Sequence, residues 1–322
     1  MISTVYPHSI LAIFSNSSDE AAFVPLLEGF SGLVTLINPP GKELLLQKTA
    51  SLHLKPSLVI ISSRLYPENR PELVTDLREI YPVAEILLVT QGTDPLPPLE
   101  RFSVDRVRHL LVAPTDDDRK GISSLQEAII KLLVKSPWVL LDYVRPGTRI
   151  HKVKLTSSKE KEELIALLEN AISGDSTEME FLRQRAALLA DEMVENALYG
   201  APRDHNGRKL YSKGELRAIN DSEKIMFSFA FDGETLAMEI ADGWGTLVPE
   251  MVIDYLARNQ AGVGEESNDA GGRGLFIIWR FLDHLHVNIR PGMQTVLGGL
   301  LKADSPFDCY SPKGFSISTD YL

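Results

Sequence analysis

Residues 236–246 read LAMEIADGWGT, and residues 270–277 read AGGRGLFI. The first is a strand-like apolar run closed by Asp242 and a Gly-x-Gly turn, in which Gly243 and Gly245 permit close backbone approach. A carboxylate at a strand end accepts a hydrogen bond from an exocyclic amine; the alternative is an ordinary Asp-Gly β-turn. The second stretch sets Gly271, Gly272 and Gly274 directly before a helix predicted over 275–285, so that N–H groups at the helix N-terminus cradle phosphate oxygens. Its alternative is a flexible glycine-rich loop. Upstream, the periodic run LLADEMVENAL (188–198) holds Glu192 and Asn196 one helical turn apart on one face. Alone, that spacing also suits a solvated surface. A carboxylate beside an amide oxygen fits a hydroxyl or water nucleophile next to a magnesium-bound phosphate, since Mg²⁺ prefers oxygen ligands and keeps several waters.

Working outward, 322 residues at 44% hydrophobic and 24% charged predict two globular domains. A net charge of -11 and the lack of a clustered basic face argue against nucleic-acid binding. One cysteine, Cys309, excludes an internal disulfide or a cysteine-rich zinc site and fits the cytoplasm. No apolar stretch reaches membrane-spanning length, and residues 1–14 lack the basic start of a secretory signal. There is no GxxxxGK[ST] or HExxH motif.

Strand-like runs at 10–14, 33–37, 58–62, 84–89 and 107–112 alternate with helical stretches and end in a helix over 122–134. This βα order predicts a flavodoxin-like domain over 1–135. A turn at Pro146-Gly147 marks a linker over 136–149, with Trp138, Leu140 and Leu141 as interdomain packing. Over 150–322 the expected order is a strand at 151–155, helices at 159–172 and 178–198, strands at 225–231 and 236–241, the helix at 275–285, and strands at 286–289 and 295–302. That order predicts an α+β two-layer sandwich.

ExxxN, then DGxG, then GGxGLxxI resemble the N, G1 and G2 boxes of the GHKL (histidine kinase-like) ATPase superfamily over about 150–302. The run GGRGLFIIWRFLDHLHV (271–287), with Asp283, is most similar to the anti-sigma-factor serine/threonine kinase branch. The resemblance implies a Bergerat fold that binds ATP and Mg²⁺. In it Glu192 would be the general base, Asn196 would hold Mg²⁺, Asp242 would bind the adenine amine, and Gly243 and Gly245 would shape the base pocket. Gly271, Gly272 and Gly274 would meet the phosphates, and Arg273 would either join them as a charge-assisted donor or be a plain surface arginine. Residues 248–269, with Gly262, Gly264, Asn268 and Asp269, resemble a mobile ATP lid. A protein partner, a sigma factor or antagonist-like regulator, and a homodimer are further implications. Simple ATP hydrolysis, with water as nucleophile, and a non-catalytic ATP-sensing interaction module or scaffold are the alternatives to phosphotransfer.

Three features depart from the pattern. Gly200 stands where this branch often has histidine, residues 201–223 form a long polar connection, and Trp244 is bulky for its turn. Residues 136–150 are too short for the phosphoacceptor hairpin of a histidine kinase. In the first half, LVTDLREIYPVAEILLVT (73–90) resembles a response-regulator receiver domain. Ser62 or Ser63 falls where the phosphoacceptor aspartate belongs and Ala113-Pro114 where the lysine belongs, while Thr90 matches and Asp19 and Glu20 lie late. The expected role of this half is therefore docking or dimerisation, without phosphoacceptor chemistry.

Overall fold

The computed structural model describes residues 9–27, 29–30, 32–38, 41–51, 55–66, 72–113, 119–260, 272–304 and 311–319. The chain divides into two compact units, the first running to Pro137 and the second beginning at Trp138.

The first unit alternates β1 (Ser9–Phe14), α1 (Ser17–Leu27), β2 (Leu33–Ile37), α2 (Lys42–Ser51), β3 (Pro56–Ser62), α3 (Leu73–Ile80), β4 (Glu85–Gln91), α4 (Glu100–Asp105), β5 (His109–Ala113) and α5 (Arg119–Leu133). β1 pairs in parallel with β2 and β3, β3 with β4, and β4 with β5. Ile10 to Phe14, Leu58 to Ile61 and Ile86 to Val89 are buried without a break, as parallel strands covered on both faces must be. At the strand ends, the buried Asp19 carboxylate accepts from the Ser15 N–H and hydroxyl, both at 2.9 Å, and Arg64 donates to Asp94 Oδ1 at 2.8 Å. The Ser62 hydroxyl accepts from the Arg64 N–H at 3.3 Å. Thr90 is fully buried, and Pro114 lies outside the described residues.

The second unit contains β6 (His151–Lys154), α6 (Lys161–Ala171), α7 (Thr177–Glu195), β7 (Met226–Phe231), β8 (Thr235–Asp242), α8 (Pro249–Gln260), α9 (Arg273–Phe281), β9 (His284–Arg290), β10 (Gln294–Lys302) and β11 (Gly314–Thr319). β6, β7, β8, β10 and β9 pair antiparallel in that order, and β11 lies parallel to β9. The Ser176 hydroxyl caps α7 by accepting from the Met179 N–H at 3.3 Å.

Two rows read from the register show how this sheet is sided. Phe315, Leu285, Gly299, Met238 and Phe229 form one row. It faces the helices: Trp279 of α9 meets Phe315 edge-on at 6.2 Å, and Leu182, Ala186, Leu189 and Met193 of α7 are fully buried. The adjacent row, Ser316, His286, Gly298, Glu239 and Ser228, points the other way. Residues 138–144 cover that face. Trp138 stacks on Tyr143 with ring centroids 5.1 Å apart, and Tyr143 Oη lies 2.8 Å from His284 Nδ1 and 3.0 Å from His286 Nδ1. The Leu140 N–H donates to Glu239 Oε2 at 3.1 Å, while Leu140 and Val144 pack on Ala230 and Ala237. The stretch expected as linker thus has a packed, hydrogen-bonded half, from which Leu141 projects exposed.

The expected fold class needs correction. Within the second unit the strands form one mixed six-stranded sheet, ordered β11-β9-β10-β8-β7-β6, in place of the five-stranded sheet of the two-layer sandwich expected from the sequence. The physical reason is β11, which the sequence reading omitted: GFSIST alternates apolar and polar side chains and takes a place in the ladder beside β9. A second correction concerns residues 248–269. Pro249–Gln260 is a helix whose Val252, Ile253 and Leu256 are buried, so this part is packed structure. Gly262, Gly264, Asn268 and Asp269 lie outside the described residues.

Candidate functional site

Glu192 and Asn196 stand at the end of α7, where the helix changes character. Residues 196–200 form a π-helical turn closed by the Ala201 N–H donating to the Asn196 carbonyl at 2.8 Å. Single π turns inside α-helices recur at functional sites because they re-aim a side chain. Around them, Lys161 bridges Asp191 at 2.6 Å and Glu195 at 2.8 Å, which leaves Glu192 as the acidic side chain between two that are already paired.

What Glu192 and Asn196 face is the first turn of α9. A methyl carbon on Gly274 would lie 2.5 Å from Glu192 Oε2, 3.2 Å from Asn196 Nδ2 and 3.3 Å from Asn196 Oδ1. Gly272, the N-cap, has φ of 103°, the left-handed region, and a methyl there would strike the Tyr255 ring of α8 at 2.4 Å. Gly272 is thus restricted to glycine by backbone and by the Tyr255 ring, whereas at Gly274 what fills the space is the end of the Glu192 side chain and the Asn196 amide. Arg273 between them is exposed. Gly271 lies outside the described residues. The structure therefore brings Glu192 and Asn196 together with Gly274 at a helix start, where the unpaired N–H groups favour an anion.

Asp242 ends β8 on the same sheet, 7% exposed. Burial pushes its carboxyl up to about 6, against the opposing effect of the Trp244, Gly245 and Thr295 backbone N–H groups. The Trp244 N–H reaches Oδ1 at 2.8 Å. Beside it, Gly243 donates to the Glu223 carbonyl at 2.6 Å, and a methyl on Gly243 would sit 2.5 Å from the Ser222 carbonyl oxygen. Gly245, at φ of 57°, is pressed against the 290–294 turn, 2.3 Å from the Arg290 carbonyl if it bore a methyl. These glycines let the turn lie flat on its neighbours and hold Asp242 in place.

Sequence comparison adds no family to this geometry. No family model matches the chain, and no curated protein matches it. Among solved structures, one neighbour is described as a unique GCN5-related glucosamine N-acetyltransferase region in the fungal multi-domain GH3 beta-N-acetylglucosaminidase. It is 13% identical, with a TM-score of 0.27, over 74% of this chain and 25% of that one. The chain thus spans about a quarter of that protein's length, and a likeness this slight carries no argument about fold or chemistry.

Two residues that the sequence reading passed over belong to the site. Thr295 stands directly across the ladder from Asp242, is 3% exposed, and its hydroxyl has no hydrogen-bond partner among the described residues. Leaving a buried hydroxyl unpaired costs roughly 1–3 kcal/mol, so it is a ready partner for a polar ligand atom beside Asp242. Glu223 is the other: burial acts to raise its carboxyl, but the Arg217 guanidinium and the Asn220 N–H hold it below its ordinary value. The only signal for Thr295 was a hydroxyl at the start of an apolar strand; Glu223 gave none.

A metal centre built wholly from protein carboxylates and imidazoles has no counterpart among the described residues, where no group of three or more His, Cys, Asp or Glu is placed to hold an ion. The donor set instead suits an ion carried in by a phosphate ligand: one amide oxygen at Asn196, with water and phosphate oxygens completing the shell. Among the described residues no helix is long and apolar enough to cross a membrane.

Proposed function

We propose that the second unit binds ATP with Mg²⁺ and that the protein is a cytoplasmic regulatory kinase of the anti-sigma type. It would transfer a phosphoryl group to a serine or threonine of a partner protein. The observation that carries this reading is the convergence of Glu192 and Asn196 on Gly274 at the start of α9. Asp242, ionised above about pH 6, accepts a hydrogen bond from the adenine amine, with the Thr295 hydroxyl beside it. Asn196 supplies an amide oxygen to Mg²⁺, whose charge offsets that of the phosphates. The α9 N-terminus and the Gly272–Gly274 backbone receive the phosphates, and exposed Arg273 is free to swing toward them. Glu192 accepts the proton of the attacking hydroxyl. The resemblance of the three boxes to GHKL ATPases supports the same assignment, as does the single cysteine for a reducing compartment. A homodimer is part of the proposal on resemblance alone.

Calorimetric titration with ATP, ADP and GTP, with and without Mg²⁺, tests it. Adenine-selective, magnesium-dependent binding that disappears in Asp242→Asn is the expected result. Binding to the wild type by none of the three would overturn it.

A further inference from the structure

The polar stretch 201–223 joins the two halves of the site, and its last third is stitched to both. Arg217 and Glu223 form a two-pronged ion pair, NH1 to Oε1 at 2.9 Å and NH2 to Oε2 at 2.7 Å, with side chains only 6% and 3% exposed. Arg217 NH2 also donates to the Leu198 carbonyl at 2.9 Å, inside the π-helical turn that begins at Asn196. From the other end, the Glu223 carbonyl accepts the Gly243 N–H at 2.6 Å, next to Asp242. The guanidinium is held from above by the Tyr211 ring at 3.9 Å, and the Arg217 N–H is fixed by the Ser158 hydroxyl at 2.9 Å. A second strap runs alongside, from the Tyr199 hydroxyl to the Glu215 carbonyl at 2.6 Å.

We infer that Arg217 is a positioning residue for nucleotide binding: through Leu198 and Glu223 it sets the distance between the turn that carries Asn196 and the turn that carries Asp242. The inference rests on the ATP-binding reading above. A nucleotide spans both turns at once, with its phosphates and metal at Asn196 and its base at Asp242. The ends belong to different elements, α7 and β8, so any play between them is an ordering cost that binding must meet. A planar guanidinium is suited to remove that play, because one rigid fork grips a carboxylate with two bonds and still has a donor for a carbonyl. Lysine retains the charge but has no such fork. A ligand that engages the Asp242 end alone, such as adenosine, depends on the brace far less.

The experiment uses the full-length chain with Arg217→Lys, Glu223→Gln and, as a control at a distance from the site, Trp138→Ala. Amide exchange is followed at 196–200 and 242–245 without nucleotide, and affinity is measured calorimetrically for Mg·ATP and for adenosine. The expected result is faster exchange at both segments together in the two brace variants and an approximately ten- to hundredfold loss of Mg·ATP affinity, the range seen when a supporting hydrogen-bond partner is removed. Adenosine affinity changes much less, and Trp138→Ala alters neither affinity. Should Arg217→Lys not fold, Glu223→Gln, which keeps the side-chain shape, decides. Brace variants with wild-type exchange and wild-type Mg·ATP affinity overturn the inference while leaving the ATP reading standing. A wild type that binds no Mg·ATP removes that reading, and the inference falls with it.

Discussion

Glu192 occupies the space that a side chain on Gly274 would need, since a methyl there would come within 2.5 Å of its carboxylate oxygen. Alanine is ordinarily the better helix former by about 1 kcal/mol. Gly274→Ala reverses that expectation: Glu192 and Asn196 must both move, at a cost of about 1–3 kcal/mol for overpacking. Thermal unfolding should show a lowered Tm, and nucleotide titration a weakened affinity. A variant as stable as the wild type and binding as tightly would show that Glu192 has room elsewhere.

Glu192→Gln keeps the shape of the side chain and removes its basicity. Nucleotide affinity should be retained while phosphotransfer to a partner protein is lost, read by radiolabel transfer from ATP. Transfer at the wild-type rate would remove Glu192 from the role of base. Loss of transfer with binding intact separates the kinase from a pure ATP sensor, which would show no transfer in either protein.

Asp242 gives the site a pH dependence whose sign follows from its raised carboxyl, about 6 in the folded protein against 3.8 in its ordinary range. The folded state holds this proton more tightly than the unfolded state, so the contribution to stability is present below about pH 4 and is lost as pH rises through 6. Ligand binding runs the opposite way, because the carboxylate accepts from an amine more strongly than the protonated acid does. ATP affinity should therefore rise from pH 5 to 7 with a midpoint near 6, and calorimetry in Asp242→Asn should lack that step.

Trp138 is 4% exposed, stacks on Tyr143, and its carbonyl accepts from Asn288 Nδ2 at 2.6 Å. Trp138→Ala should cost about 3–5 kcal/mol, as for other large-to-small changes in a core. Tyr143→Phe should cost about 1–3 kcal/mol by stranding buried imidazole nitrogens. Denaturant titration checks both. Values near zero would mean that 138–144 is a tether after all.

Much of the secondary structure was legible because burial imposes simple periods. Ile10 to Phe14, Val34 to Ile37 and Leu236 to Ala241 announce strands by composition, and the glycines at 243, 245, 272 and 274 mark close approaches. Less legible were segments whose local signal competes with another pattern. α8 was masked by resemblance to a lid, although Pro249 at its start and Val252, Ile253 and Leu256 at helical spacing spell an amphipathic helix. The helix before β9 stops at Phe281 because His284 and His286 already alternate with Leu285 and Val287 as strand residues. The place of β11 beside β9 and the Arg217–Glu223 pair depend on partners that no local window contains.

The hydroxyl of Tyr143 sits between two imidazole Nδ1 atoms yet owns one proton, so it cannot donate to both. At least one ring must carry its own proton on Nδ1, and the outer neighbours say which. His284, kept neutral because burial lowers it to about 3, has Ser316 Oγ 3.3 Å from Nε2, a hydroxyl able to donate to a bare nitrogen. His286 Nε2 instead faces the Glu239 carboxylate at 3.8 Å, which asks for a proton on that nitrogen. The row of hydrogen bonds from Ser316 through His284 and Tyr143 to His286 therefore has a fixed polarity, with His284 protonated on Nδ1 and His286 Nε2 looking toward the Glu239 carboxylate at 3.8 Å. A glutamine at 239 could present its amide the other way round, and the whole row would then be free to reverse.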